Sequence, residues 1–238
     1  MRVLAAGSLR RVWPQLMAHF PEPVETQFGP AGLLRERIAS GEACDLFASA
    51  NLAHPQALHA IGLAQSMASF ASNTLCLTVD SDVLRDSDDW LSLLTRDDLR
   101  IATSTAGADP SGDYTQTLFT RMGNAGEAVR KRAMALVGGR GSAPVPAGRL
   151  AAEWLIQDGQ AEVFIGYASI AGDSRADGHR HPGALQSACG VCLCGNDAAG
   201  ATADGVFTVK YGTSDPASGG FFAGRHDRIN AKRQQGCR

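Results

Sequence analysis

Within the first fifty residues, three short strand-like runs are each followed by a turn and a stretch with helical spacing. Val3 to Ala6 reads as a buried strand. After Gly7-Ser8, the apolar residues Leu9, Val12, Trp13, Leu16, Met17 and Phe20 recur at the three-four spacing of one helix face. About Val24 to Phe28 is a second strand. The turn Gly29-Pro30-Ala31-Gly32 leads into a helix carrying Leu33, Leu34 and Ile38, which Gly41 ends with a left-handed cap. Asp45 to Ser49 is the third strand, and Pro55 suits the first turn of a third helix that ends near Gly62. Such alternation restricts the chain to an α/β sheet architecture.

The rhythm is interrupted once. A longer strand pattern, Ser69 to Val79, enters the stretch Asp80 to Asp89, which reads as a solvated linker with five Asp, two Ser and one Arg. Beyond it come a strand at Leu99 to Ser104, helices near Tyr114–Met122, Glu127–Val137 and Arg149–Gln157, and a strand at Val163 to Tyr167. Strands near Val191 and Gly205–Val209 could return the chain to the first unit. The expected organisation is a first lobe over 1–81, a second lobe over 82–185, and a return to the first over 186–238. One lobe inserted within another and joined by two crossings is a hinge architecture with an interlobe cleft.

The chain has 238 residues, 44% apolar and 19% charged, which is globular composition with enough length to bury a real core. A net charge of −2 gives no global attraction to nucleic acid or to membrane surfaces, so neither is an expected partner. No apolar run approaches the roughly 18–20 residues of a membrane-spanning helix. Met1 runs straight into the first strand, without a charged and then apolar leader, so either a leader has been removed or the protein stays in the cytoplasm. Six cysteines in this length do not describe a disulfide scaffold, and Cys44 and Cys76 read as small buried hydrophobes. His179 and His181, followed by Cys189, Cys192 and Cys194, could form a soft-metal site for zinc or copper(I), although the spacing matches no standard zinc module. Neither a Gly-x-Ser-x-Gly elbow nor a His-Glu-x-x-His helix occurs. No catalytic order is recognisable, so the chain is expected to bind rather than catalyse and to carry no cofactor.

Four strand-to-helix junctions share one chemical character. Ala5-Ala6-Gly7-Ser8, Gly29-Pro30-Ala31-Gly32, Asp109-Pro110-Ser111-Gly112 and Val145-Pro146-Ala147-Gly148-Arg149 all place small residues just before a helix start. A helix start carries unpaired N–H groups and a partial positive charge, small side chains let an anion approach them, and a serine hydroxyl adds a donor. In open α/β sheets such junctions gather at the ligand crevice. Each alone has an ordinary reading, as an N-cap or a turn. Two per lobe would surround a compact anion.

These residues resemble the molybdate-binding proteins of ABC importers. Ala5-Ala6-Gly7-Ser8-Leu9 is similar to their opening signature. Phe28 to Arg35, then Ile38 and Gly41, then Asp45-Leu46-Phe47-Ala48-Ser49-Ala50-Asn51 match the next blocks in order. Asp109 to Gly112 resembles their second anion turn, and Leu155 to Tyr167 their late helix and strand. The resemblance spans about residues 3 to 170. It implies a two-lobed periplasmic-binding-protein fold of type II, molybdate or tungstate as ligand, a membrane permease as partner, a monomeric state and a periplasmic location. It also implies roles. Ser8 would donate its hydroxyl and N–H, Ser111 and Arg149 their N–H groups, and Tyr167 its phenol. Where the family usually supplies a second serine hydroxyl this chain has Ala31 and Gly32, which offer N–H groups only; Arg149 could compensate with a charged donor. A site built only of donors accepts a fully deprotonated dianion and leaves the proton of hydrogen phosphate without an acceptor.

Overall fold

The three strands of the first fifty residues pair with one another in the structure, a computed structural model that describes residues 1–71, 73–168, 185–188 and 206–210. β1 (Arg2–Ala6) lies between β2 (Glu25–Gly29) and β3 (Leu46–Ser49), parallel to both. Parallel neighbours require crossover connections that cover the sheet. Both faces of β1 are covered: Leu4 and Ala6 pack with Leu34, Ile38, Phe47 and Leu58, and Val3 and Ala5 pack with Leu9, Trp13 and Ala48. That is why β1 is a continuous apolar run and not an alternating one. α2 (Ala31–Ala39) and α3 (Ala53–Ala60) lie on the first of these faces. α1 (Trp13–Met17) is shorter than its spacing implies. A 3-10 turn at Gly7–Leu9 precedes it, and Val12, Leu16 and Phe20 of the expected face are exposed.

The strand pattern expected from Ser69 to Val79 is two strands in two sheets. β4 (Ser66–Ala71) stays with the first sheet, and β5 (Leu75–Asp80) is buried from Leu75 to Val79 in a second. The chain therefore passes between lobes between Ala71 and Leu75, ahead of the boundary expected at residue 82. The acidic stretch that follows is not a free linker. Asp89 and Ser92 form a capping box that starts α4 (Trp90–Thr95), and Arg96 pairs with Asp88 at 2.7 Å.

The second lobe continues with β6 (Ile101–Ser104), α5 (Pro110–Arg121), α6 (Asn124–Arg132), β7 (Met134–Val137), α7 (Ala151–Gln157), β8 (Val163–Tyr167) and β9 (Leu185–Ala188). The helix expected over Glu127–Val137 breaks at Ala133, and its apolar end becomes β7, parallel to β6. Short apolar runs satisfy either period, and here pairing with β6 decides. β10 (Val206–Lys210) returns to the first sheet between β3 and β4, antiparallel to both. The sheets are ordered β2-β1-β3-β10-β4 and β7-β6-β8-β5-β9, so each has a parallel trio extended by an antiparallel strand and an edge strand. β9 belongs to the second sheet, and Val191, near which a strand was expected, lies outside the described residues. His179, His181, Cys189, Cys192, Cys194 and the segment 219–238 lie outside the described residues. No helix among the described residues is long and apolar enough to cross a membrane.

Candidate functional site

The carboxyl ends of strands from both sheets meet at a cavity of about 370 Å³. Ser8, Ala31, Ser111, Arg149 and Tyr167 all line it, so five of the six residues expected at the site come together from segments far apart in sequence. Sequence spacing could not supply this convergence; two sheets with the same strand plan do.

The first lobe forms one wall. Ser8 lies in the 3-10 turn after β1 and is 9% exposed. Ala31 begins α2 after Pro30, and no side chain caps that helix. The N–H groups of an uncapped first turn have no partner within their own helix. Gly32 differs from the expectation. Its N–H donates to the Ala108 carbonyl of the other lobe at 2.9 Å, and a β-carbon on it would lie 2.6 Å from that oxygen. Gly32 is thus a contact between lobes and not a ligand donor. At the edge of the cavity the Arg10 guanidinium sits 4.8 Å from the centroid of the Phe28 ring.

The second lobe forms the opposite wall and corrects three expectations. Asp109 caps α5: its Oδ1 accepts the Ser111 N–H at 3.0 Å, and its carbonyl accepts the Gly112 N–H at 2.9 Å and the Asp113 N–H at 3.3 Å. The Ser111 amide is therefore committed to its own cap. Its hydroxyl is not: Ser111 is 3% exposed and Oγ has no hydrogen-bond partner among the described residues. Tyr167, also 3% exposed, donates its phenol proton across the lobes to the Ala50 carbonyl at 3.2 Å. Burial, with a smaller contribution from Asp109, pushes that phenol above its ordinary range. The Arg149 N–H bonds to the Pro146 carbonyl at 3.1 Å, and its guanidinium lies along α7, bonded to Gln157 at 2.6 Å. It is a helix-bound arginine, so it does not supply the charged donor that would offset the missing serine.

Asp109 itself lines the cavity, so the wall is not made of donors alone. Burial pushes its carboxyl up to about 6, against the Ser111 N–H, which lowers it, and with Asp113 nearby raising it further. Asp109, Ser104 at the end of β6, Ser142 and Arg10 are polar lining residues that sequence reasoning passed over. The signal for Asp109 was present: an Asp directly before a Pro-started helix is an N-cap, and its carboxylate then sits at the helix start. Ser104 carries no such signal, since its place at the cavity follows only from strand order. Across the cavity the lobes touch through Gly32 with Ala108, Tyr167 with Ala50, and an ion pair between Arg140 and Glu36. No group of His, Cys, Asp and Glu among the described residues is arranged to hold a metal.

Residues 1–186 match the family described as bacterial extracellular solute-binding protein. An uncharacterized protein of Pasteurella multocida, PM1146, is 47% identical over 178 residues, covering 71% of this chain and 74% of that protein. The periplasmic molybdate-binding protein of Azotobacter vinelandii superposes with a TM-score of 0.59 at 20% identity, covering 91% of this chain and 87% of its own. The sulfate-binding protein SubI of Mycobacterium tuberculosis gives a TM-score of 0.58 at 16% identity, covering 90% and 76%. At these identities the structural likeness establishes the fold, that of two-lobed solute-binding proteins.

Proposed function

The chain belongs to the bacterial extracellular solute-binding protein family, and from that premise we propose that it captures a small tetrahedral oxyanion, molybdate or tungstate, in the interlobe cavity. In this reading it is a monomer that works in the periplasm and hands the anion to the membrane permease of an ABC importer. It performs no catalysis.

The observation that carries the proposal is the Ser111 hydroxyl. It is buried at the start of α5 without a partner among the described residues, and it lines a cavity that Ser8 faces from the other lobe. An unsatisfied buried hydroxyl costs about 1–3 kcal/mol, a cost that an acceptor in the cavity removes. The sequence blocks shared with molybdate-binding proteins supply Ser8 and Ser111 at these two positions, and proteins of this fold that bind molybdate and sulfate agree with the oxyanion class.

A panel of molybdate, tungstate, sulfate and phosphate, read by thermal melting, tests this. An anion present at about a hundred times its dissociation constant adds roughly 2.7 kcal/mol and raises the melting temperature by several degrees. A folded sample that no member of the panel stabilises rules out the oxyanion reading. One alternative is an oxyanion carried on a small organic group, for which the cavity of about 370 Å³ also has room. Stabilisation by a phosphate monoester and by none of the inorganic anions would select that alternative.

A further inference from the structure

Donation to an anion does not account for the carboxylate on the second wall. Asp109 directs Oδ1 to the Ser111 N–H, while Oδ2 lies toward Gly138, where a β-carbon would come within 3.0 Å of it. Among the described residues no other donor bonds this carboxyl group. A dianion held by the buried Ser111 Oγ, two residues further along the same helix start, meets this carboxylate as a like charge. In a cavity partly shielded from water that repulsion opposes binding unless a proton lies between the two groups.

We propose that Asp109 couples anion capture to a single proton, shared in the bound state between its carboxyl group and an oxygen of the anion. The carboxyl group then donates to a dianion that carries no proton and accepts from an oxyanion that brings its own. This inference rests on the reading that the oxyanion occupies the interlobe cavity. It makes Asp109 a specificity-determining residue for the protonation state of the ligand.

The surroundings leave the task to Asp109. On α5, Asp113 accepts the Gly107 N–H at 2.7 Å, and Tyr114 stacks edge-on with Tyr167 of β8, whose proton serves Ala50. On α2, Arg35 lies 3.7 Å from Glu36, which pairs with Arg140 from the connection after β7. Arg149 is tied to Gln157, and Arg10 lies over Phe28. His54 on α3 is lowered from its ordinary value by burial and by Arg35, and the other charges acting on it are Asp113 and Glu36. No cation among these is bonded to Asp109, so its charge is neutralised by a proton or remains. Burial already pushes the group to about 6, which makes that proton available near neutral pH.

Calorimetric titrations of tungstate and of phosphate into the full chain and Asp109→Asn, from pH 6 to 8.5, test the coupling. Asparagine is as good an N-cap as aspartate and keeps an oxygen for the Ser111 N–H, so the variant folds. For the unmodified chain, tungstate affinity is expected to fall about tenfold per pH unit above about 6. Repeating the titration in two buffers of different ionisation enthalpy should read uptake of about one proton per tungstate bound at pH 7.5. Phosphate, which brings its own proton, should lose far less over the same range. The tungstate slope should vanish in Asp109→Asn and survive in His54→Gln. Tungstate binding with a flat profile in the unmodified chain overturns the proposal, as does a slope that persists in Asp109→Asn. Absence of all binding by every variant at every pH instead overturns the cavity reading beneath it.

Discussion

On the first lobe, α2 begins after Pro30 with no capping side chain and with Ala31 facing the cavity. On the second, α5 begins after Asp109, which takes the Ser111, Gly112 and Asp113 N–H groups for itself. Both turns are built from small residues, and at the level of composition they are alike. The difference lies in the N-cap. A proline before the helix has no side-chain acceptor, and the Gly32 N–H that it leaves goes to the other lobe, whereas an aspartate adds a side-chain acceptor for the Ser111 N–H and a negative charge. One wall therefore offers a hydroxyl and a helix start without a side-chain cap, and the other offers a hydroxyl and an acid. A helix start is an anion site only when its own cap leaves it open.

Closing one wall on the other is where a substitution should have its largest effect. Gly32→Ala puts a β-carbon 2.7 and 2.6 Å from the Gly107 and Ala108 carbonyl oxygens, and backbone atoms cannot swing aside. The lobes must then part. Oxyanion affinity should fall by about ten- to a hundredfold, in line with an overpacking cost of about 1–3 kcal/mol. Stability of the ligand-free chain in denaturant should also fall, because the same parting strains the Gly32–Ala108 and Tyr167–Ala50 bonds, offset in part by the better helix propensity of alanine, worth about 1 kcal/mol. Calorimetry beside a denaturant melt separates the two quantities. Undiminished affinity would show that the walls need not meet through α2.

Next in size is the hydroxyl on each wall. Ser8→Ala and Ser111→Ala should each weaken the oxyanion by about 1–2 kcal/mol, or roughly tenfold. Ser111→Ala should leave ligand-free stability unchanged or slightly raised, because the hydroxyl it removes is buried without a partner among the described residues. If Ser8→Ala costs affinity and Ser111→Ala does not, the second wall holds no ligand hydroxyl and the comparison between walls collapses to one side.

Much of this was legible in the sequence because it is local. The β1 apolar run, the Gly41 stop and the small-residue turns each follow from spacing, and the cavity gathers five of the six expected residues. What was not legible depends on partners distant in the chain. Ser69 to Val79 looks continuous, yet the fate of its two halves is fixed by β10 on one side and by β8 and β9 on the other. Met134 to Val137 fits either period until β6 pairs with it. Gly32 and Tyr167 each donate to a carbonyl of the opposite lobe, which no reading of its own segment could identify. Asp109 was hidden for the opposite reason. Its local role as a cap is so ordinary that its second role, as an acid on the cavity wall, passes unnoticed.

The smallest expected effect concerns the bond that ties the second wall to the first. Tyr167→Phe keeps the ring, its edge contact with Tyr114 and its packing beside Leu4 and Leu75, and removes only the hydroxyl. From the sequence resemblance alone, that change should cost binding and spare stability. The geometry reverses the expectation. The proton goes to the Ala50 carbonyl, and its loss leaves that buried acceptor without this partner. Ligand-free stability should fall by about 0.5–1.5 kcal/mol, the net worth of one neutral hydrogen bond. Affinity should fall about fivefold at most, through the weaker hold between lobes in the bound form. Because burial holds the phenol above its ordinary range, the difference between variant and parent should not vary with pH up to about 9. Calorimetry and denaturant melts on the same samples decide the matter. An affinity loss of a hundredfold with stability intact would mean that the hydroxyl leaves Ala50 for the anion, and the second wall would then present the phenol to the ligand beside Ser111 and Asp109.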